Sequence, residues 1–142
     1  MIAEALQNMW KTELGVNVSL LNQDWAVFLE TRQNGDYFIA NSNWIADYDD
    51  PINFLELFVS TGGNNDTGYA SKDYDTMIAA AKSTTDETAR MQLLHDAEDL
   101  LMADEVVAPL YFYTQPYMIA DDLKGVYYTP YGYFFFGYAY KE

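Results

Sequence analysis

Thirteen aromatic rings lie between Tyr111 and Tyr140, and that density limits what this chain can fold into. Each ring carries a large apolar area, and a buried tyrosine hydroxyl also needs a hydrogen-bond partner. A chain of 142 residues has the length of about one domain, with few interior places for so many rings. The segment therefore either lines a ligand site or packs against something outside the chain. Pro116, Gly125, Pro130, Gly132 and Gly137 interrupt it, so short strands and turns are expected there.

The rest of the composition excludes several functions. Seven Lys and Arg against 22 Asp and Glu give a formal net charge of −15. A nucleic-acid partner needs a basic footprint that seven scattered cations cannot form. The same charge disfavours an anionic membrane surface. No run approaches the roughly 20 apolar residues of a membrane-spanning helix. Cysteine is absent, which removes disulfides, zinc-thiolate sites and thiol nucleophiles but leaves the compartment open.

Periodicity predicts an α/β chain. Ile2, Ala5, Leu6, Met9, Trp10 and Leu14 recur at helical spacing, with Gly15 placed as a C-cap. Residues 16–20 alternate like a half-buried strand. Trp25, Phe28 and Leu29 predict a second helix closed by Asn34-Gly35, and residues 37–44 read as a strand. Asp50 and Pro51 suit an N-cap and first helical position. After a polar break at residues 61–68, helices are expected over 72–82 and from a Thr84/Glu87 capping box to about 103. Residues 106–114 read as an edge strand carrying Pro109.

Few residues suggest catalysis. His95 is the sole histidine and suits a solvated helix face. The sequence holds no G-x-S-x-G, P-loop or G-x-G-x-x-G. The Gly62 to Asp66 stretch lacks both the ligand spacing of a calcium loop and the lysine of a phosphate loop, so its residues read as turn formers. Asp47, Asp49 and Asp50 crowd three carboxylates into four positions. They could act as an acid/base pair, as in a hydrolase. They could equally be a cap and solvated charges, or Asp47 could anchor a cation such as a primary ammonium.

The run Trp44-Ile45-Ala46-Asp47-Tyr48-Asp49-Asp50-Pro51, the loop over 61–68 and Tyr74-Asp75 together resemble the C-terminal region of the family 5 oligopeptide and dipeptide solute-binding proteins. These are the extracytoplasmic receptors of ABC importers. Glu30 through Tyr37, Ala108-Pro109-Leu110-Tyr111 and Leu123-Lys124-Gly125 extend the resemblance over essentially the whole chain. It implies a lobe fragment of the class II periplasmic-binding-protein fold. Residues 1–112 would belong to the C-terminal lobe, and 113–142 to a hinge strand and a return segment packing on a lobe outside this chain. Asp47 would pair with a peptide α-ammonium. Asn43 and Ile45, flanking Trp44, would offer main-chain groups, and Tyr113 would line the site. Arg32 matches one of two arginines that neutralise peptide carboxylates, whereas Asn41 stands at the second and carries no charge.

The resemblance also implies no cofactor and no catalysis, with ABC permease subunits as partners. It implies an envelope location, periplasmic or as a lipid-anchored lipoprotein. No signal peptide or lipobox is visible, as expected if the start of a longer parent lies upstream. Related receptors take dipeptides, nickel complexes, haem or sugars, so another small solute stays open. A self-associating interaction domain, held by its exposed aromatic tail, is the further alternative.

Overall fold

The computed structural model describes residues 2–142, which divide into two compact units, the described residues up to Ala40 and Asn41–Glu142. The first unit holds helix α1 (Ile2–Leu14) and helix α2 (Trp25–Gln33). Both end as their glycines dictate: Gly15 and Gly35 take left-handed φ angles of 68° and 72°. The segment after α1 is tied back to it by Gln7, whose Nε2 donates to Val18 O at 2.6 Å.

The second unit contains the buried core. Helix α4 (Lys72–Ser83) and helix α5 (Glu87–Ala103) form an antiparallel pair, covered by the short helix α3 (Ile52–Leu55) and a 3₁₀ turn over Glu56–Phe58. Ile52, Leu55, Tyr74, Ile78, Ala81, Leu94, Ala97 and Leu101 form its interior, the faces that helical spacing predicts. Ser71 Oγ caps α4 by accepting from Tyr74 N. At α5 the cap is Asp86, whose Oδ1 accepts from Ala89 N at 3.0 Å, rather than the expected Thr84. Thr84 instead accepts from Asp86 N, a local turn that presents the better capping carboxylate. Pro51 is helical, with φ −56° and ψ −29°, and the Asp50 carboxylate accepts from Ile52 N, as the Asp-Pro pair predicts.

Three expected strands, over 16–20, 37–44 and 106–114, are not strands among the described residues. Their composition suits a sheet, but a strand is defined by a neighbour, and none runs beside them. The strands that do form lie in the aromatic tail. Strand β1 (Leu123–Lys124) pairs antiparallel with β4 (Tyr140–Lys141), and β2 (Tyr127–Tyr128) with β3 (Phe134–Phe135) between them. Tyr117, Tyr128 and Phe134 pack ring on ring, with centroids 4.8–5.1 Å apart. Phe112, Met118 and Tyr138 remain almost fully exposed.

Candidate functional site

The site is built around a buried amide. Asn53, on the first turn of α3, is 3% exposed among apolar neighbours. Its Oδ1 accepts from the Trp44 indole Nε1 at 2.8 Å and from the Asp47 main-chain N at 3.1 Å. One side chain thus fixes both ends of the Trp44 to Asp47 run. The Asp47 side chain is exposed at the rim of an open groove of about 370 Å³. Trp44, Tyr48, Glu56, Leu57 and the Gly62–Gly63 turn line the same groove.

Tyr48, Glu56 and Lys82, which also line it, are paired. Tyr48 OH donates to Glu56 Oε1 at 2.6 Å, and Lys82 Nζ meets Glu56 Oε2 at 2.8 Å. The Lys82 ammonium, then the Tyr48 hydroxyl, hold the Glu56 carboxyl below its ordinary value. The Glu56 carboxylate in turn raises the Tyr48 phenol. The Gly62–Asn64 wall is held by Asn65, whose Nδ2 donates to the carbonyls of Tyr69, Val59 and Phe58 while Oδ1 accepts from Thr67. The loop is therefore internally bonded, as its turn residues predict.

The three neighbouring carboxylates have separate duties. Asp50 caps α3 and accepts from Arg90 Nη2 at 2.9 Å, and Arg90 Nε also donates to Ala81 O. The Asp49 residue is exposed on the same short run. Asp47 alone of the three lines the groove.

The remaining candidates lie as follows. Asn43 and Ile45 flank Trp44 on an exposed segment, and no backbone ladder runs along residues 41–47 among the described residues. Asn41 opens that segment. Tyr113 is exposed, on the unpaired stretch that precedes the tail strands. Arg32 belongs to the first unit, in the last turn of α2, with its guanidinium 5.7 Å from the Phe28 ring. His95 is on the solvent face of α5 beside Glu98, as expected. Asn53 was not predictable as a site residue: its neighbours in sequence suggest only the buried face of a helix. A polar side chain on that face is the one available signal, since a buried amide needs partners.

Comparison with known proteins agrees with this architecture. Residues 1–66 match the family described as bacterial extracellular solute-binding proteins, family 5 Middle. The chain is 44% identical over 126 residues to the oligopeptide-binding protein OppA of Bacillus subtilis, covering 88% of this chain and 23% of that protein. It is 42% identical over 132 residues to the dipeptide-binding protein DppE of the same organism, covering 93% of this chain and 24% of that one. Among solved structures, Haemophilus influenzae OppA in complex with RPPGFSPFR superposes with a TM-score of 0.81 at 32% identity, over 87% of this chain and 25% of that one. The substrate-binding domain of an oligopeptide ABC transporter from Bacillus anthracis gives 0.83 at 28% identity, over 99% and 28%.

The fold is that of the periplasmic peptide-binding proteins. The chain matches a fragment of the family 5 extracellular solute-binding proteins, and it spans about a quarter of the length of the curated relatives it matches.

Proposed function

We propose that this chain is part of a receptor that captures extracellular peptides and delivers them to the permease subunits of an ABC importer. One observation carries the reading: Asn53 fixes the Trp44 to Asp47 run, and Asp47, an exposed residue, lines the groove. A receptor for many sequences must read what all peptides share. Those features are the α-ammonium and the main-chain amides. Asp47 supplies a charge-assisted acceptor for the first. The unladdered backbone at Asn43 and Ile45 suits the second, with the peptide added as a strand. Trp44 and Tyr113 supply apolar surface to the ligand. Asn41 is neutral where the resemblance expects a second arginine; peptides whose recognition depends on a free carboxyl end should therefore bind less selectively.

The relatives named as periplasmic, such as OppA of Salmonella typhimurium, support an envelope location. Residues 1–112 then belong to one lobe and 113–142 to a hinge strand and return segment. No reaction is assigned. Asp50 is engaged by Arg90 and by the Ile52 amide, which disfavours a hydrolase built from this acidic run.

Calorimetric titration of the full gene-encoded polypeptide, with unblocked and N-acetylated peptides of two to nine residues, tests this. Unblocked peptides should bind, and acetylation or Asp47→Asn should each weaken binding roughly tenfold or more, about 1.4 kcal/mol per decade. Equal affinity for both peptide forms, or peptide cleavage during the titration, would overturn it.

A further inference from the structure

We infer that Asn53 is the positioning residue for the Asp47 anchor, and that it sets selectivity for a free ammonium without touching the ligand. The inference rests on the peptide-receptor reading above. Its chemistry begins with the orientation of the amide. Trp44 Nε1 and the Asp47 main-chain N carry hydrogens and can only donate. The Asn53 atom facing both, at 2.8 and 3.1 Å, must therefore be its oxygen. Both donors thereby converge on one buried acceptor, which ties the Trp44 ring to the Asp47 main chain.

The consequence is specific to geometry. Residues 41–47 have no strand neighbour to hold them, so their placement depends on side-chain contacts. The bond to the Asp47 amide is made one residue's breadth from the carboxylate that reads the ligand. Losing it leaves Asp47 attached only through a loop, and a displaced carboxylate no longer discriminates an ammonium from an acetylated nitrogen. Aspartate is a poor replacement for the amide, because it buries a second negative charge beside Asp47.

The test is the ratio of dissociation constants for an N-acetylated and an unblocked tri-alanine peptide, measured on the full gene-encoded polypeptide. Asn53→Ala should reduce that ratio roughly fivefold to tenfold, the size of one lost hydrogen-bonded support. A purely structural role would weaken both peptides equally and leave the ratio unchanged. A wild type that does not distinguish the peptides overturns the receptor reading itself. A wild type that does, with Asn53→Ala keeping the full ratio, overturns the role of Asn53 alone. Should Asn53→Ala not fold, hydrogen exchange on the unliganded wild type decides. The Asp47 amide should exchange well below its intrinsic rate, and exchange at that rate would sink the inference.

Discussion

A phenol shut away from water must find an acceptor, and Tyr74 finds the main chain of Leu55. Its hydroxyl donates to Leu55 O at 2.6 Å, joining α4 to the end of α3, and burial pushes its pKa upward. Tyr74→Phe keeps the ring but strands a buried carbonyl. The expected loss is about 1–2 kcal/mol in urea unfolding, and an unchanged midpoint would show that water reaches that carbonyl. Asp50 gives a pH prediction. The Arg90 guanidinium, with the Ile52 amide, holds its carboxyl below the ordinary carboxylate value. A depressed folded-state pKa stabilises the native state above the unfolded pKa, roughly 3.9, and that stability is lost as pH falls through the folded value. Glu56, lowered by Lys82 and Tyr48, adds in the same direction. Stability should therefore hold from neutrality to about pH 4–5 and decline below it. Arg90→Met should lower stability at neutral pH and flatten the acid limb in thermal melts across pH.

At the scale of elements, the end of α5 stores avoidable strain. Glu105 has φ 54°, a left-handed conformation that glycine favours. Its N donates to Met102 O and Val106 N donates to Leu101 O, the two bonds of a Schellman turn. Glu105→Gly should therefore raise stability by roughly 0.5–1 kcal/mol, read as a higher melting temperature; a lower one would mean that the acidic side chain matters more than its backbone. The tail imposes the opposite rule. A Cβ on Gly125 would run into the Tyr138 carbonyl, so Gly125→Ala should disrupt the β1–β4 pairing and its strand signal in circular dichroism. The helices were legible in the sequence because their information is local: apolar period, cap, glycine. Asp50-Pro51, Gly15 and Asn34-Gly35 each punctuate where they were expected to. The strands over 16–20, 37–44 and 106–114 were not, because β composition describes a surface and not its partner. In the candidate site, the placing of Asp47 beside Trp44 in an open groove was legible from its position after an aromatic run. Asn53 was not, because its importance lies in two contacts that only the folded chain brings together.

At the scale of the whole molecule, charge decides how the chain responds to salt. The seven cations cannot neutralise 22 carboxylates, and the net charge is −15. Salt acts on two opposing terms. It weakens ion pairs such as Lys82–Glu56, Arg90–Asp50 and Lys141–Asp122. These are partly or largely solvated, and such pairs contribute about 0–1 kcal/mol each. It also screens repulsion among the carboxylates left in excess, which acts over the ~10 Å Debye length at 0.1 M. The second effect involves many more charges, and compaction brings those charges together in the folded state. Repulsion therefore dominates, and the melting temperature should rise as sodium chloride increases from about 20 to 300 mM, a span over which the Debye length falls severalfold. Guanidinium chloride should show the same effect as a shallower loss of stability at its lowest concentrations, because there it acts partly as a salt. Urea, being uncharged, should not. A melting temperature that falls with sodium chloride would mean that the three ion pairs outweigh the excess charge, and Lys82→Met and Arg90→Met would then remove the salt response.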